Sequence, residues 1–194
     1  QMCIRDSNKS QSGKLDVKLS YLADNNEWKE VTKDTKLFKD GALWEPGHTE
    51  VAYLKVENAG NLALKYQLSV NVANEVSGTN VNGESFNLSD YINMGVVENQ
   101  STSFADRNAA RAAVTDAGNI ATYTKTGSIA ANDTNAQYVA LVVYMPETVG
   151  NEANYGTKAP SIDLGVKLAA TQYTKESDSF DDQYDNCLLY TSDA

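Results

Sequence analysis

The chain has 194 residues, sixteen basic and twenty-six acidic, for a formal charge of −10. That length fits one domain able to bury roughly 70% of its unfolded surface without staples, and the acidity argues against nucleic acid or an anionic membrane surface as partner. A single histidine, His48, excludes any mechanism that needs two, and the longest apolar run, Tyr138–Met145, is far shorter than the ~20 residues of a membrane-spanning helix.

In chain order the ends come first, because they read as DNA. Gln1–Ser7 can be back-translated as CAG ATG TGT ATA AGA GAC AGx, and Asn186–Asp193 as xxC TGT CTC TTA TAC ACA TCT Gxx. The second string is the reverse complement of the first, the pattern of a transposase adapter from a shotgun sequencing library. Residues 1–7 and 187–194 are therefore expected to be adapter-encoded and are set aside from fold reasoning. Both cysteines, Cys3 and Cys187, fall in these ends, so 8–186 is expected to be a single cysteine-free domain. The competing reading is a secreted chain with a terminal disulfide. Lack of cysteine fits a bacterial exterior as well as a cytosol.

Gly13–Leu22 alternates, with Leu15, Val17, Leu19 and Tyr21 on one face, and predicts a half-buried strand. Asp24-Asn25-Asn26 is a turn cluster, Trp28–Thr32 a short return strand, and Lys33–Gly41 a loop. Trp44-Glu45-Pro46-Gly47 is a tight turn. Val51–Glu57 and Leu62–Val72 are strands joined by Asn58-Ala59-Gly60-Asn61, which predicts a hairpin or a closely adjacent pair. Asn74–Ser85 is a polar loop, and Tyr91–Val97 a strand. Ser103–Ala117, rich in alanine, with Arg107 and Arg111 one turn apart, predicts a helix capped by Ser103 and ended by Gly118. Ile120–Ala131 holds one or two strands, Gln137–Met145 a nearly all-apolar strand, and Val149–Pro160 a loop. Ser161–Thr174 alternates again, and Lys175–Asp185 is an acidic tail. Eleven tyrosines against four Phe and two Trp favour strands with a wet face. The predicted fold is mainly β, a jelly-roll-like antiparallel β-sandwich with one short helix. Its expected core is Leu15, Val17, Leu19, Val51, Tyr53, Leu64, Tyr66, Leu68, Val70, Leu141, Val143, Ile162, Leu164 and Val166.

No residue constellation announces a reaction. There is no G-x-S-x-G, no Gly-rich phosphate loop, and only His48 could serve as an imidazole base. His48 reads as an exposed loop residue, or as a lone ligand where zinc needs three or four. Five carboxylates crowd Glu176–Asp185, a composition calcium favours, but without EF-hand spacing. The four-residue spacing of Phe180 and Tyr184 suggests that this tail docks on the sandwich. Tyr138–Met145 reads as a central core strand, or as a template for strand addition if exposed. Trp28 and Trp44 are the obvious stacking residues for a glycan, though turn or core packing explains them better. No catalytic, cofactor-binding or metal-binding residue is assigned, and no cofactor.

Several blocks together resemble the camelysin/TasA family of secreted bacterial proteins released by a SipW-type signal peptidase. They are Ser12-Gly13-Lys14-Leu15-Asp16-Val17, Leu43-Trp44-Glu45-Pro46-Gly47, Tyr53–Tyr66 with its Asn58-Ala59-Gly60-Asn61-Leu62 centre, Met145-Pro146-Glu147, Ala170-Thr171-Gln172 and Asp178-Ser179-Phe180-Asp181. The resemblance implies a secreted jelly-roll sandwich acting as a biofilm-matrix fibre subunit, located in the extracellular matrix or at the cell surface. Its partners would be further copies or related matrix proteins, joined by strand donation, with a SipW-type peptidase serving export through a signal peptide. The best arm available is Asn8 to about Gly13. The camelysin name also carries a metallo-endopeptidase assignment, for which these residues offer no zinc-site motif. The expectation is a non-enzymatic structural subunit; the alternatives are a secreted metallo-endopeptidase and a non-catalytic surface binding module.

Overall fold

The computed structural model describes residues 13–38 and 42–174 in full, and the backbone of 3–5 and 188–190. The strands in chain order are β1 (Cys3–Arg5), β2 (Leu15–Leu22), β3 (Trp28–Glu30), β4 (Thr49–Asn58), β5 (Leu64–Val76), β6 (Gly78–Asn80), β7 (Ser85–Phe86), β8 (Asn93–Glu98), β9 (Ala117–Asn119), β10 (Lys125–Ile129), β11 (Gln137–Tyr144), β12 (Tyr155–Lys158), β13 (Ser161–Gln172) and β14 (Leu188–Tyr190). One α-helix, α1 (Arg107–Ala113), lies between β8 and β9. A seven-stranded sheet runs β1-β2-β4-β11-β8-β9, with β3 also on β2, and a four-stranded sheet runs β10-β5-β13-β14. Every pairing in them is antiparallel. A small third sheet, β12-β6-β7, shares no ladder with either, though Phe86 of β7 joins the main core. The chain is thus a mainly β antiparallel sandwich with one short helix, as its alternation predicts.

The two large sheets meet through their apolar faces. Leu15, Val17 and Leu19 of β2, Leu54 and Val56 of β4, and Val139, Leu141 and Val143 of β11 share one buried cluster with Leu64, Tyr66, Leu68 and Val70 of β5 and Leu164, Val166 and Leu168 of β13. A second, smaller cluster forms on the outer face of the larger sheet. There α1 lays Ala110 over Val142 and Tyr144, with Val51 and Val97 packed against them. Gln137–Tyr144 is the central strand expected of its apolar run, paired on one side with β4 and on the other with β8.

The differences from the sequence reading have physical causes. Val51 and Tyr53 are half-buried and face outward; Ala52, Leu54 and Val56 point into the core. Lys55 and Glu57 continue the Val51 face, so only the even-numbered phase is apolar throughout. Ile162 is half-buried because the β13–β5 ladder shifts register between Ser161 and Asp163. Strands β4 and β5 do not form a hairpin. Their connection crosses from one sheet to the other, and Asn58 fastens it by donating from Nδ2 to the carbonyls of Leu62 (2.9 Å) and Ala130 (3.1 Å). The helix is shorter than Ser103–Ala117. Asp106, not Ser103, is the N-cap, accepting from the Ala109 amide at 2.8 Å, and Val114 leaves the helix in extended geometry. Gly118 instead belongs to β9. The stretches read as loops at 74–85 and 149–160 contain the end of β5, all of β6 and all of β12. Their short ladders in the third sheet carry little apolar alternation to betray them.

Candidate functional site

Four of the six blocks that carry the family resemblance meet in two places, Leu43–Gly47 with Met145–Glu147 and the start of β2 with the Asn58–Leu62 turn. At one end of the sandwich, Trp44-Glu45-Pro46-Gly47 forms a turn in which the His48 amide donates to the Glu45 carbonyl at 2.9 Å. Pro46 presets the first corner and Gly47, at φ +90°, takes the second, which an L side chain would resist. The turn is tied to the end of β11: the Gly47 amide donates to Met145 O at 2.8 Å, and the Met145 amide to His48 O at 3.0 Å. Trp44 is buried in the main core. His48 is not the exposed loop residue its sequence setting implies. Its ring meets Trp44 edge-on with centroids 4.8 Å apart, and Nε2 lies 2.9 Å from a Glu50 carboxylate oxygen. Among the described residues no group of three or more His, Cys, Asp or Glu side chains could hold a metal ion.

The second place is the start of β2. The Asn58–Leu62 turn grips it from one side. Asp16 O accepts from the amides of Ala59 (3.0 Å) and Gly60 (3.2 Å), and Lys14 O from those of Asn61 (3.1 Å) and Leu62 (3.3 Å). In return the Lys14 amide donates to Asn61 Oδ1 at 2.7 Å. Gly60 permits this approach, since a Cβ there would lie 2.2 Å from Lys14 O. With Lys14 and Asp16 turned toward the clamp, alternation points the main-chain groups of Leu15 and Val17 the other way, toward the sheet edge. Leu19 does the same, and its carbonyl accepts from Val31 at 2.8 Å.

That outer edge is filled piecemeal. Strand β3 pairs with Ser20–Leu22, and β1 pairs with Leu15–Val17, Ile4 standing opposite Asp16. On the other sheet, β14 occupies the outer edge of β13 at Lys167–Ala169. Strands β2 and β13 are in contact, so both edges lie along one flank of the sandwich. It is the two stretches expected to be adapter-encoded that supply β1 and β14. An open edge presents unpaired amides and carbonyls and accepts an extended segment through main chain alone. The opposite flank is different, because side chains bridge it. Lys125 of β10 pairs with Glu98 of β8 at 2.6 Å. Tyr66 O–H donates to Gln137 Oε1, and Gln137 Nε2 to Ser128 O at 2.7 Å. Burial pushes the Tyr66 phenol up to about 12.

Asp16 is the residue of this region that pattern reading passes over. Its neighbours Leu15 and Val17 face the core, so it belongs to the outer face, yet its side chain is only 4% exposed. Oδ2 lies 3.6 Å from Lys14 Nζ, and Oδ1 has no hydrogen-bond partner. Desolvation raises its carboxyl above the ordinary value, with Lys14 and the Val17 amide opposing and Glu30 adding to the rise. The one signal in the sequence is a charged residue between two core positions.

The remaining candidates are scattered. Trp28 is half-buried on the outer face of the larger sheet, its ring 5.4 Å from Tyr138 with Lys55 Nζ above it. The acidic tail with Phe180 and Tyr184, the arm Asn8–Ser12, and Cys187 lie outside the described residues. No helix among the described residues is long and apolar enough to cross a membrane. No family model and no curated protein matches the sequence. Among solved structures the chain is similar to the ASH/PapD-like domain (PapD-like domain 7) of human CEP192, at 13% identity and a TM-score of 0.39, over 91% of this chain and 82% of that one.

Proposed function

We propose that this domain is a secreted bacterial structural protein, a subunit of surface or biofilm-matrix fibres that joins its neighbours by strand donation. One observation carries the reading. The flank formed by β2 and β13 takes short added strands on both sheets, whereas the opposite flank is bridged by side chains. A strand seated on β2 gains main-chain bonds from Leu15 and Val17, and alternate apolar residues set its register. The resemblance to the camelysin/TasA family supports secretion through a SipW-type peptidase and partners that are copies or relatives of this chain. The resemblance also brings the metallo-endopeptidase assignment, and the arrangement of His48 with Glu50 and Trp44 is packing, which gives that assignment no support.

The test replaces residues 1–7 with the natural upstream sequence recovered from the source genome. The extended protein and the 194-residue chain are compared by sedimentation and electron microscopy. The extended form is expected to make concentration-dependent filaments, and the 194-residue form to stay largely monomeric. An extended form that is folded yet monomeric across concentration and pH overturns the reading.

A further inference from the structure

The outer edge of β2 has a chemical preference as well as an opening. Three residues define it. Leu15 and Val17 belong to the core cluster, so strand residues opposite them lie at core-facing positions. Asp16 between them turns to the other face, is 3% exposed, and keeps Oδ1 without a partner. A buried acceptor without a partner is costly, and a carboxylate more so than a neutral group. Lys14 reaches only the other oxygen, and Glu30 adds negative charge nearby. The directly opposite position on a neighbouring strand is the closest approach a side chain on that face can have.

We propose that the strand this edge is built to receive carries a lysine or arginine opposite Asp16, flanked by two apolar residues opposite Leu15 and Val17. The inference rests on the strand-donation reading and names its partner: an extended segment of apolar–basic–apolar pattern. Strand β1 has the opposite phase. It sets Ile4 against Asp16 and Arg5 against Leu15. Because side chains alternate, a slip of one residue exchanges every position between the two faces. The edge therefore discriminates register as well as composition: a basic residue in phase relieves Asp16, and one out of phase stands at a core position.

The 194-residue chain tests this directly, since β1 already occupies the edge. Ile4→Lys and Ile4→Glu are made in the parent and in an Asp16→Asn background. Hydrogen exchange of the Leu15 and Val17 amides, which face β1, reports occupancy. Ile4→Lys should raise their protection by about tenfold over Ile4→Glu, the scale of a cross-strand charge pair together with relief of a buried acceptor. In the Asp16→Asn background that difference should vanish. Equal protection in the two Ile4 variants, or a difference that persists without Asp16, overturns the proposal while leaving the edge able to accept strands. Amides left unprotected in every variant overturn both the proposal and the use of this edge for strand donation.

Discussion

At Tyr66 a single hydroxyl links burial, ionisation and the closing of one flank. The ring is 4% exposed and the phenol is pushed up to about 12 by desolvation, with Glu98 adding to the shift. The unfolded chain gives up this proton near 10, so above that pH the folded state holds more protons and stability falls as pH rises through 12. Two units correspond to about 3 kcal/mol. Urea unfolding of the parent and of Tyr66→Phe should show that loss between pH 10 and 12 in the parent, over and above the slope of the variant. At neutral pH Tyr66→Phe should cost about 1 kcal/mol through the lost bond to Gln137. Asp16 follows the same sign, which is the opposite of an ion-paired carboxyl. Its raised value means that the native state binds the proton more tightly than the unfolded chain does, so its contribution is favourable in acid and is lost as pH rises through the raised value. Asp16→Asn should therefore raise stability at pH 7, by about 1 kcal/mol, and flatten the acid-side slope measured by thermal unfolding.

The elements show which parts of the pattern could be read in advance. The Leu64–Val70 and Leu164–Leu168 alternations fix their strands because every second residue is apolar over several repeats. Val51–Glu57 misleads at its start: Val51 and Tyr53 open one phase, but Lys55 and Glu57 continue it, and the phase of Ala52, Leu54 and Val56 is the one that stays apolar. Leu54→Ala should cost about 3 kcal/mol, and Val51→Ala, at a half-buried outer site under α1, about 1 kcal/mol. The helix limits are equally open in the sequence. Ser103 and Asp106 can both cap, and the choice falls to Asp106 because the Phe104 amide donates to the Tyr53 hydroxyl, which holds the chain ahead of the helix against the sheet. Asp106→Ala should cost about 1 kcal/mol. The clamp at the start of β2 is not legible in the alternation of the sequence. The Gly13–Val17 and Asn58–Leu62 blocks lie about forty-five residues apart, and no periodicity indicates that one clamps the other or that Asp16 is buried between them.

For the molecule as a whole, the question is how much the terminal strands contribute to the sandwich. Among the described residues the main core cluster runs from Leu15 through Ala170. Strands β1 and β14 each add three paired positions at a sheet edge. Edge main-chain bonds exchange with water and return little net free energy, whereas fixing extra residues costs roughly 1–2 kcal/mol each in backbone entropy. The two contributions nearly cancel. Deleting residues 1–7 and 187–194 together should move the melting temperature by less than about 4 °C, the shift that about 1 kcal/mol produces in a domain of this size. Circular dichroism and calorimetry of the two forms measure it. A fall of several kcal/mol, the size expected when a native disulfide is removed, would mean that Cys3 and Cys187 join evolved parts of the fold. A small shift, accompanied by faster exchange confined to the Leu15, Val17 and Lys167–Ala169 amides, would mean that the ends occupy edges whose proper strand comes from elsewhere.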